Sequence, residues 1–121
     1  MILAAGGTAQ GKLRYILEKY SLSADDVSDF SLENSWDFSR KIFYNFDKYV
    51  RFCAENNENP LDILDRISDK IIITCETGCG LVPIEASERY IRELNGRVNC
   101  ILAEKSENVI RICCGIGIFI K

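Results

Sequence analysis

Seven residues near the start of the chain have the types and spacing of a phosphate-binding loop. The segment follows the apolar run Met1–Ala5, which predicts a β-strand, and it reads Gly6-Gly7-Thr8-Ala9-Gln10-Gly11-Lys12, of the form G-x-x-x-x-G-K. In such a loop the glycines let the backbone fold around phosphate groups, backbone N–H groups point inward, and the lysine neutralises the β- and γ-phosphates. The sequence therefore predicts that these residues bind a nucleotide and that Lys12 takes part in catalysis.

The position after Lys12 departs from this pattern. A phosphate-binding loop has Ser or Thr there, whose hydroxyl holds Mg²⁺, whereas this chain has Leu13. Leu13 still belongs to the predicted nucleotide-binding segment by position, but it removes one direct metal ligand. Two interpretations stay open: a nucleotide-binding loop, and a glycine-rich turn between a strand and a helix that binds nothing.

Two carboxylates are candidates for the metal side of this site. Glu76 follows the apolar run Ile71–Cys75, and the carboxyl ends of parallel strands face such a loop, so we predict a catalytic and metal-binding role for it. The alternative for Glu76 is a surface carboxylate of a loop. Asp29 is the second candidate, as a Walker-B-like aspartate, although one apolar residue, Val27, precedes it closely. The expected cofactor is Mg²⁺ together with ATP or GTP.

Length and charge exclude several classes of protein. A chain of 121 residues predicts a single domain, residues 1–121, large enough for a hydrophobic core. The net charge of −3 argues against a nucleic-acid or anionic-membrane surface, since either would need a basic face. No apolar run approaches the length of a membrane span or a signal-peptide core, so we expect a cytoplasmic protein with no nucleic-acid or membrane partner.

The six cysteines do not predict a metal centre or a disulfide framework. They contain no C-x-x-C pair, and the chain has no histidine, so a zinc site would need thiolates or carboxylates from scattered positions. Cys75 and Cys113 lie in apolar runs, where a reduced cysteine packs as a small hydrophobe.

Hydrophobic periodicity in the first half of the chain predicts mostly helix. A helix is expected from about Gly11 to Lys19, followed by a weakly signalled strand at Val27–Phe30. A long helix is expected next, because apolar residues recur at three- and four-residue steps at Trp36, Ile42, Phe43, Phe46, Val50 and Cys53. Its aromatic residues form the core or line a ligand pocket. Asn59-Pro60 then predicts a capped short helix with Leu61, Leu64 and Ile67 inward.

The second half alternates strand and helix. Ile71–Cys75 is apolar without alternation, which is typical of a strand covered on both faces. A helix follows Pro83, with an internal Gly96 that indicates close packing or a kink, and Val109–Cys114 is expected as a last core strand before a short apolar tail. This alternation predicts an α/β fold with a mostly parallel sheet and helices on both faces.

Motifs at both ends of the chain resemble one enzyme family. Glu76-Thr77-Gly78-Cys79-Gly80-Leu81-Val82-Pro83 resembles the N-E-V-G-x-G-I-V-P segment of the bifunctional adenosylcobinamide kinase/adenosylcobinamide-phosphate guanylyltransferases. Further matches are Arg89, Arg92 and Gly96-Arg97-Val98-Asn99 in the following helix, Ser106-Glu107-Asn108-Val109, Gly115-Ile116-Gly117 and Lys121 at the end, and the opening Met1-Ile2-Leu3, Gly6-Gly7 and Gly11-Lys12. Together they cover about half of the chain.

The resemblance implies a RecA-like P-loop NTPase fold and a homo-oligomer, commonly a trimer. It also implies phosphorylation of the aminopropanol hydroxyl of adenosylcobinamide, a corrinoid, and transfer of GMP from GTP through a guanylylated histidine. Because this chain has no histidine, we do not expect guanylyl transfer by that mechanism. The chain is also shorter than typical members between the first helix and the long central helix.

Two functions remain after these departures. The first is a nucleotide-binding protein of corrinoid salvage with cobinamide kinase activity from ATP or GTP, because phosphoryl transfer mainly requires positioning and charge neutralisation. The second is a non-catalytic nucleotide-binding or regulatory homologue that keeps the fold and the assembly. Leu13 favours the second, and Gly11-Lys12 favours the first.

Overall fold

A single six-stranded sheet organises the protein. The computed structural model describes residues 1–32, 36–76 and 85–121. Their strands are β1 (Ile2–Gly6), β2 (Val27–Asp29), β3 (Ile42–Tyr44), β4 (Ile71–Cys75), β5 (Asn108–Cys113) and β6 (Ile116–Phe119), in the spatial order β2-β3-β4-β1-β5-β6. β1 to β5 pair in parallel, and β6 is antiparallel to β5. The expected mostly parallel sheet is confirmed, with β1 between β4 and β5.

In the described ranges, three α-helices and two short 3-10 helices connect the strands. The α-helices are α1 (Lys12–Tyr20), α2 (Phe46–Glu55) and α3 (Ala86–Lys105), and the 3-10 helices span Ala24–Asp26 and Pro60–Arg66. The predicted start at Asn59-Pro60 is confirmed, because the Asn59 side chain accepts a hydrogen bond of 3.0 Å from the Leu61 N–H. The fully buried Ile67 and also Ile63 face inward there.

Helices cover both faces of the sheet. Leu3 and Ile72 point to one side, where they pack with residues of α2 and α3 such as Val50 and Leu102. The next residues along the same strands, Ala4 and Ile73, point to the other side and pack with Ile16 of α1. Alternation of side chains along a strand, with both faces covered, therefore explains why the β4 run Ile71–Cys75 shows no alternation of apolar and polar residues.

The prediction of one long central helix was wrong in its first half. Ile42–Tyr44 is a strand, and α2 begins at Phe46. Asn45 separates the two with a left-handed backbone, φ 59°, which asparagine adopts more readily than most residues. Ile42 and Phe43 are buried on opposite faces of the sheet, so they were apolar for a reason unrelated to a helical stripe.

The C-terminal tail is a strand of the sheet. Cys113 pairs with Ile116 across a two-residue turn, Cys114-Gly115, in which both residues have positive φ (53° and 74°). This is the conformation that two-residue hairpins favour. β6 therefore forms one edge of the sheet and brings the end of the chain beside α1, where Lys19 lies over the Phe119 ring.

Several aromatic residues from the predicted long helix pack with Phe30 in the core. Phe30, Phe43 and Tyr49 are buried and make edge-on or tilted ring contacts with centroids 5.2 to 5.3 Å apart. Trp36 packs on this cluster from outside, with its ring centroid 5.1 Å from that of Phe30. Among the described residues these rings are explained by packing, which supports the core interpretation over a corrinoid pocket.

Two further expectations concern helices. Gly96 lies in α3 as predicted, but a Cβ there would meet no described atom within 4 Å, so close packing does not explain this glycine. Among the described residues, no helix is long and apolar enough to cross a bilayer.

Candidate functional site

The segment with the phosphate-loop pattern connects the central strand to the first helix. β1 ends at Gly6, and α1 begins at Lys12 directly after Gly11, whose φ of 78° is strained for any residue with a side chain. A Cβ on Gly6 would lie 2.3 Å from the Ile112 carbonyl oxygen of β5. Both glycines are therefore required by the path of the backbone, whatever the loop binds.

The side chain of Lys12 lies inside this loop. Lys12 is 6% exposed, and its ammonium donates a hydrogen bond of 2.7 Å to the Gly7 carbonyl oxygen. The same nitrogen lies 3.3 Å from the Cys75 sulfur at the end of β4. Because a buried ammonium is costly unless it has acceptors, the loop carbonyl holds the charge at the place where the sequence predicts phosphate.

The β5–β6 turn fixes the outer side of the loop. The Gly115 N–H donates to the Gln10 carbonyl oxygen at 2.8 Å, and the Cys114 N–H donates to the Gln10 side-chain oxygen at 2.6 Å. A Cβ on Gly11 would lie 3.3 Å from the Gly115 Cα. Sequence reasoning missed this contact, because the partners are about one hundred residues apart and the turn was not recognised.

Leu13 is half-buried and packs against the core on the α1 side of the sheet. Its side chain stabilises the attachment of α1 and offers no metal ligand. The structure therefore gives a packing role to the residue that departs from the phosphate-loop pattern.

The structure brings Glu76 next to the loop. Its N–H donates to the Gly6 carbonyl oxygen at 2.9 Å, continuing the β1–β4 pairing by one residue. Its carboxylate is one-third exposed and lies 3.6 Å from the Arg111 guanidinium of β5. The carboxylate is thus beside the loop with a cation already opposite it.

The structure does not bring Asp29 to the loop. Asp29 ends β2, the outermost strand, and β3 and β4 separate it from β1. Its Oδ1 accepts hydrogen bonds from the Ser31 N–H (2.9 Å), the Ser31 hydroxyl (2.7 Å) and the Asn45 side-chain amide (2.9 Å). The carboxylate organises the end of β2, which is the physical reason against the predicted metal role.

Asp47 is a carboxylate near the site that sequence reasoning missed. It lies in the first turn of α2, and its Oδ1 accepts a hydrogen bond of 3.4 Å from the Cys75 N–H. Burial first, and then the negative charges of Asp29, Cys75 and Asp47, raise the pKa of the Tyr44 phenol. The sequence signal for Asp47 is its place just after the strand Ile42–Tyr44, at the carboxyl end of the sheet. The prediction of one long helix through this region hid that signal.

These carboxylates limit how Mg²⁺ can bind. Among the described residues, no group of three or more Cys, Asp or Glu side chains is placed to hold a metal ion. Mg²⁺ in nucleotide sites usually keeps waters and takes one or two carboxylates together with phosphate oxygens. Glu76 and Asp47 fit that mode, in which the nucleotide carries the ion. The described residues do not form a set of protein ligands that would hold Mg²⁺ without a nucleotide.

Of the motif Glu76–Pro83, residue Glu76 is described and residues 77–83 lie outside the described part of the chain. The helix α3 contacts the site through a residue that is not among those matched to the family. The Asn95 side-chain amide, buried in α3, donates to the Cys75 carbonyl oxygen at 3.2 Å. α3 thus fixes the end of β4 beside the loop.

Comparison with known sequences decides the family. The family model described as cobinamide kinase / cobinamide phosphate guanyltransferase matches residues 38–120. The chain belongs to this family. The match begins after α1 and β2, so the membership rests on β3 to β6 and the helices between them. The loop at Gly6–Lys12 lies outside the matched residues.

Two curated proteins are similar to part of this chain. The bifunctional adenosylcobalamin biosynthesis proteins CobU of Salmonella typhimurium and Escherichia coli are each 39% identical over 51 residues. That alignment covers 42% of this chain and 28% of either relative. The chain therefore matches less than a third of the length of these relatives.

Proposed function

We propose that this protein binds ATP or GTP with Mg²⁺ at Gly6–Leu13 and transfers the terminal phosphoryl group to the aminopropanol hydroxyl of a cobinamide. The observation that carries the proposal is the buried ammonium of Lys12 inside a loop that joins the central strand to a helix. Membership of the cobinamide kinase family supports the acceptor and a role in cobalamin biosynthesis.

The finer assignment of the fold belongs to the same proposal. We propose a RecA-like P-loop NTPase fold from the resemblance to the family, and the place of β1 between β4 and β5 supports it. Nucleotide sites of parallel sheets lie at the carboxyl ends of the strands. Gly6, Cys75 and Tyr44 mark that edge here.

The chemistry asked of the chain is positioning and neutralisation of charge. Lys12 would exchange the Gly7 carbonyl oxygen for phosphate oxygens, and loop N–H groups together with the start of α1 would bind the remaining charge. Mg²⁺, when bound, supplies further neutralisation of the phosphates. Glu76 and Asp47 would orient its water ligands, and Arg111 would release Glu76 for this role.

Guanylyl transfer through a histidine is not part of the proposal. Residues 1–121 contain no histidine, so the covalent intermediate implied by the resemblance has no nucleophile in this sequence. Incubation with GTP should leave the protein mass unchanged. A mass increase corresponding to one GMP would overturn this point.

A second function is favoured by one observation. Leu13 packs against the core and gives Mg²⁺ no hydroxyl ligand, as expected for a nucleotide-binding homologue that has lost catalysis and keeps its assembly. In both cases we propose a cytoplasmic homo-oligomer, with a trimer as the first expectation from the resemblance.

Two experiments test these functions in order. Calorimetric titration with ATP and GTP, with and without Mg²⁺, should show binding, and no binding at millimolar nucleotide would contradict both functions. Incubation with ATP or GTP and adenosylcobinamide should then give cobinamide phosphate, detected by mass. Binding without product would select the non-catalytic homologue.

A further inference from the structure

A cavity borders the outer side of the phosphate-loop segment. It has a volume of about 440 Å³ and is lined by Ala9, Gln10, Gly11, Arg14, Glu18, Cys114 and Gly115. Three of these residues belong to the loop, two to α1, and two to the β5–β6 turn. Its volume lies within the range of small-molecule sites. A ligand with its phosphates in the loop would reach this cavity directly.

The polar groups of this cavity lie side by side. Arg14 and Glu18 are one helical turn apart, and the Arg14 Nε lies 3.0 Å from Glu18 Oε1. That contact uses one donor and one acceptor, and the terminal nitrogens of Arg14 and Oε2 of Glu18 take no part in it. Both side chains are largely exposed, so the ion pair itself contributes little to stability.

We propose that this cavity holds the base of the bound nucleotide and that Glu18 and Arg14 select guanine. The proposal rests on the proposed function, because it requires phosphates in the loop. Guanine presents acceptors at O6 and N7 and donors at N1–H and the 2-amino group. A guanidinium pairs well with O6 and N7, and a carboxylate accepts from two neighbouring N–H donors.

Adenine does not match the same pair. Its 6-amino group is a donor where guanine has an acceptor, and it has no N1–H or 2-amino group for a carboxylate. A carboxylate facing adenine would meet N1, an acceptor, and a C–H group. Glu18 therefore discriminates against ATP as well as favouring GTP, which is how specificity is usually achieved.

The β5–β6 turn gives the cavity its shape. Hydrogen bonds from Cys114 and Gly115 to Gln10 hold the turn against the loop, so the wall opposite Arg14 is fixed before a ligand binds. A base placed there contacts backbone on one side and the exposed face of α1 on the other. The arrangement lowers the cost of ordering the site on binding.

The test compares GTP, ATP, XTP and inorganic tripolyphosphate, each with Mg²⁺, by calorimetric titration of the full chain. The wild-type protein should bind GTP about tenfold or more tightly than ATP, since one good bidentate contact supplies discrimination of that order. Glu18→Gln should bring the two nucleotides to within about threefold, leave tripolyphosphate unchanged, and improve binding of XTP. The gain for XTP is expected because a glutamine amide pairs with the 2-oxo group of xanthine.

Glu55→Gln is the matched control. Glu55 also follows an arginine by four residues, Arg51 at 3.9 Å, but on α2. It should leave all four affinities unchanged. Equal binding of GTP and ATP by the wild-type protein, or an unchanged preference in Glu18→Gln, would overturn the base site. If tripolyphosphate still binds in that case, the phosphate-binding role of the loop is upheld. Failure of tripolyphosphate and both nucleotides to bind would overturn the proposed function and this inference with it.

Discussion

The ammonium of Lys12 donates a 2.7 Å hydrogen bond to the carbonyl oxygen of Gly7, at the other end of the same loop. The loop therefore holds its own cation in a buried position. Phosphate oxygens would replace one carbonyl oxygen as the acceptor, so binding need not move the lysine charge into a new environment.

Replacing Lys12 separates nucleotide binding from folding. Lys12→Met keeps the length of the side chain and removes a buried charge, so the protein should fold with unchanged or higher thermal stability. Affinity for tripolyphosphate and nucleotides should fall at least about tenfold, because a charge-assisted contact is worth about 1.5–3 kcal/mol. Calorimetry and thermal unfolding measure the two effects, and Lys105→Met, an exposed change on α3, is the control. Unchanged affinity in Lys12→Met would contradict the assignment of the loop.

Leu13 makes an independent test of metal use. Leu13→Ser places a hydroxyl where the motif expects one, so nucleotide affinity should become several-fold more dependent on Mg²⁺. The lost packing should lower the free energy of unfolding by about 1–2 kcal/mol, less than for a fully buried leucine. Leu13→Ala loses the same packing without the hydroxyl. Equal Mg²⁺ dependence in both variants would show that the metal does not approach residue 13.

Two glycines give opposite expectations for the same substitution. Gly6→Ala brings a Cβ to 2.3 Å from the Ile112 carbonyl oxygen, and both groups belong to central strands, so unfolding should occur at a clearly lower temperature. Gly96→Ala meets no described atom within 4 Å and should stabilise α3 by up to about 1 kcal/mol. Thermal unfolding of the two variants beside the wild type measures this. A destabilised Gly96→Ala would point to a partner surface on that side of α3.

The ion pair between α2 and α3 predicts a pH dependence. Both terminal nitrogens of Arg51 lie 2.8 Å from the Glu88 carboxylate oxygens, and this hydrogen bonding lowers the pKa of Glu88. A lowered pKa in the folded state means that the contribution to stability is complete above the ordinary pKa of glutamate, about 4.3, and is lost as pH falls below it. Glu88→Gln should therefore be less stable than wild type at pH 7 and approach it below about pH 4.

Chemical unfolding at several pH values measures that difference. Glu104→Gln, at an exposed position near the end of α3, should follow the wild-type curve. A Glu88→Gln curve parallel to wild type throughout would show that the pair does not stabilise the fold.

Local patterns predicted those parts whose cause is local. The run Ile71–Cys75 is covered on both faces, and the Asn59-Pro60 cap is made by neighbouring residues, so both could be predicted from sequence. The helix starting near Gly11 was predicted for the same reason. The placement of Glu76 beside Gly6 also followed, because adjacent parallel strands end at the same edge of a sheet.

Other parts depended on contacts between distant residues. The apolar residues of Ile42–Tyr44 continue the helical spacing of those in α2, so the two segments look like one helix in the sequence. Ile42–Tyr44 is a strand because it pairs with β2 and β4. β6 was predicted only as a tail, since its order depends on pairing with β5. The position of Asp29 likewise follows from strand order, which no short-range pattern contains.

The sequence alone determined a strand, a glycine-rich loop and a lysine in succession, because the chemistry of a phosphate loop lies in residue types a few positions apart. Tertiary structure decided what surrounds that loop. It placed Gln10 against Gly115, Asp47 beside Cys75, and Leu13 against the core, since these relations depend on how strands are ordered and helices are packed. Spacing along a chain fixes the nearest neighbours of a residue, and the folding of the sheet fixes all the others.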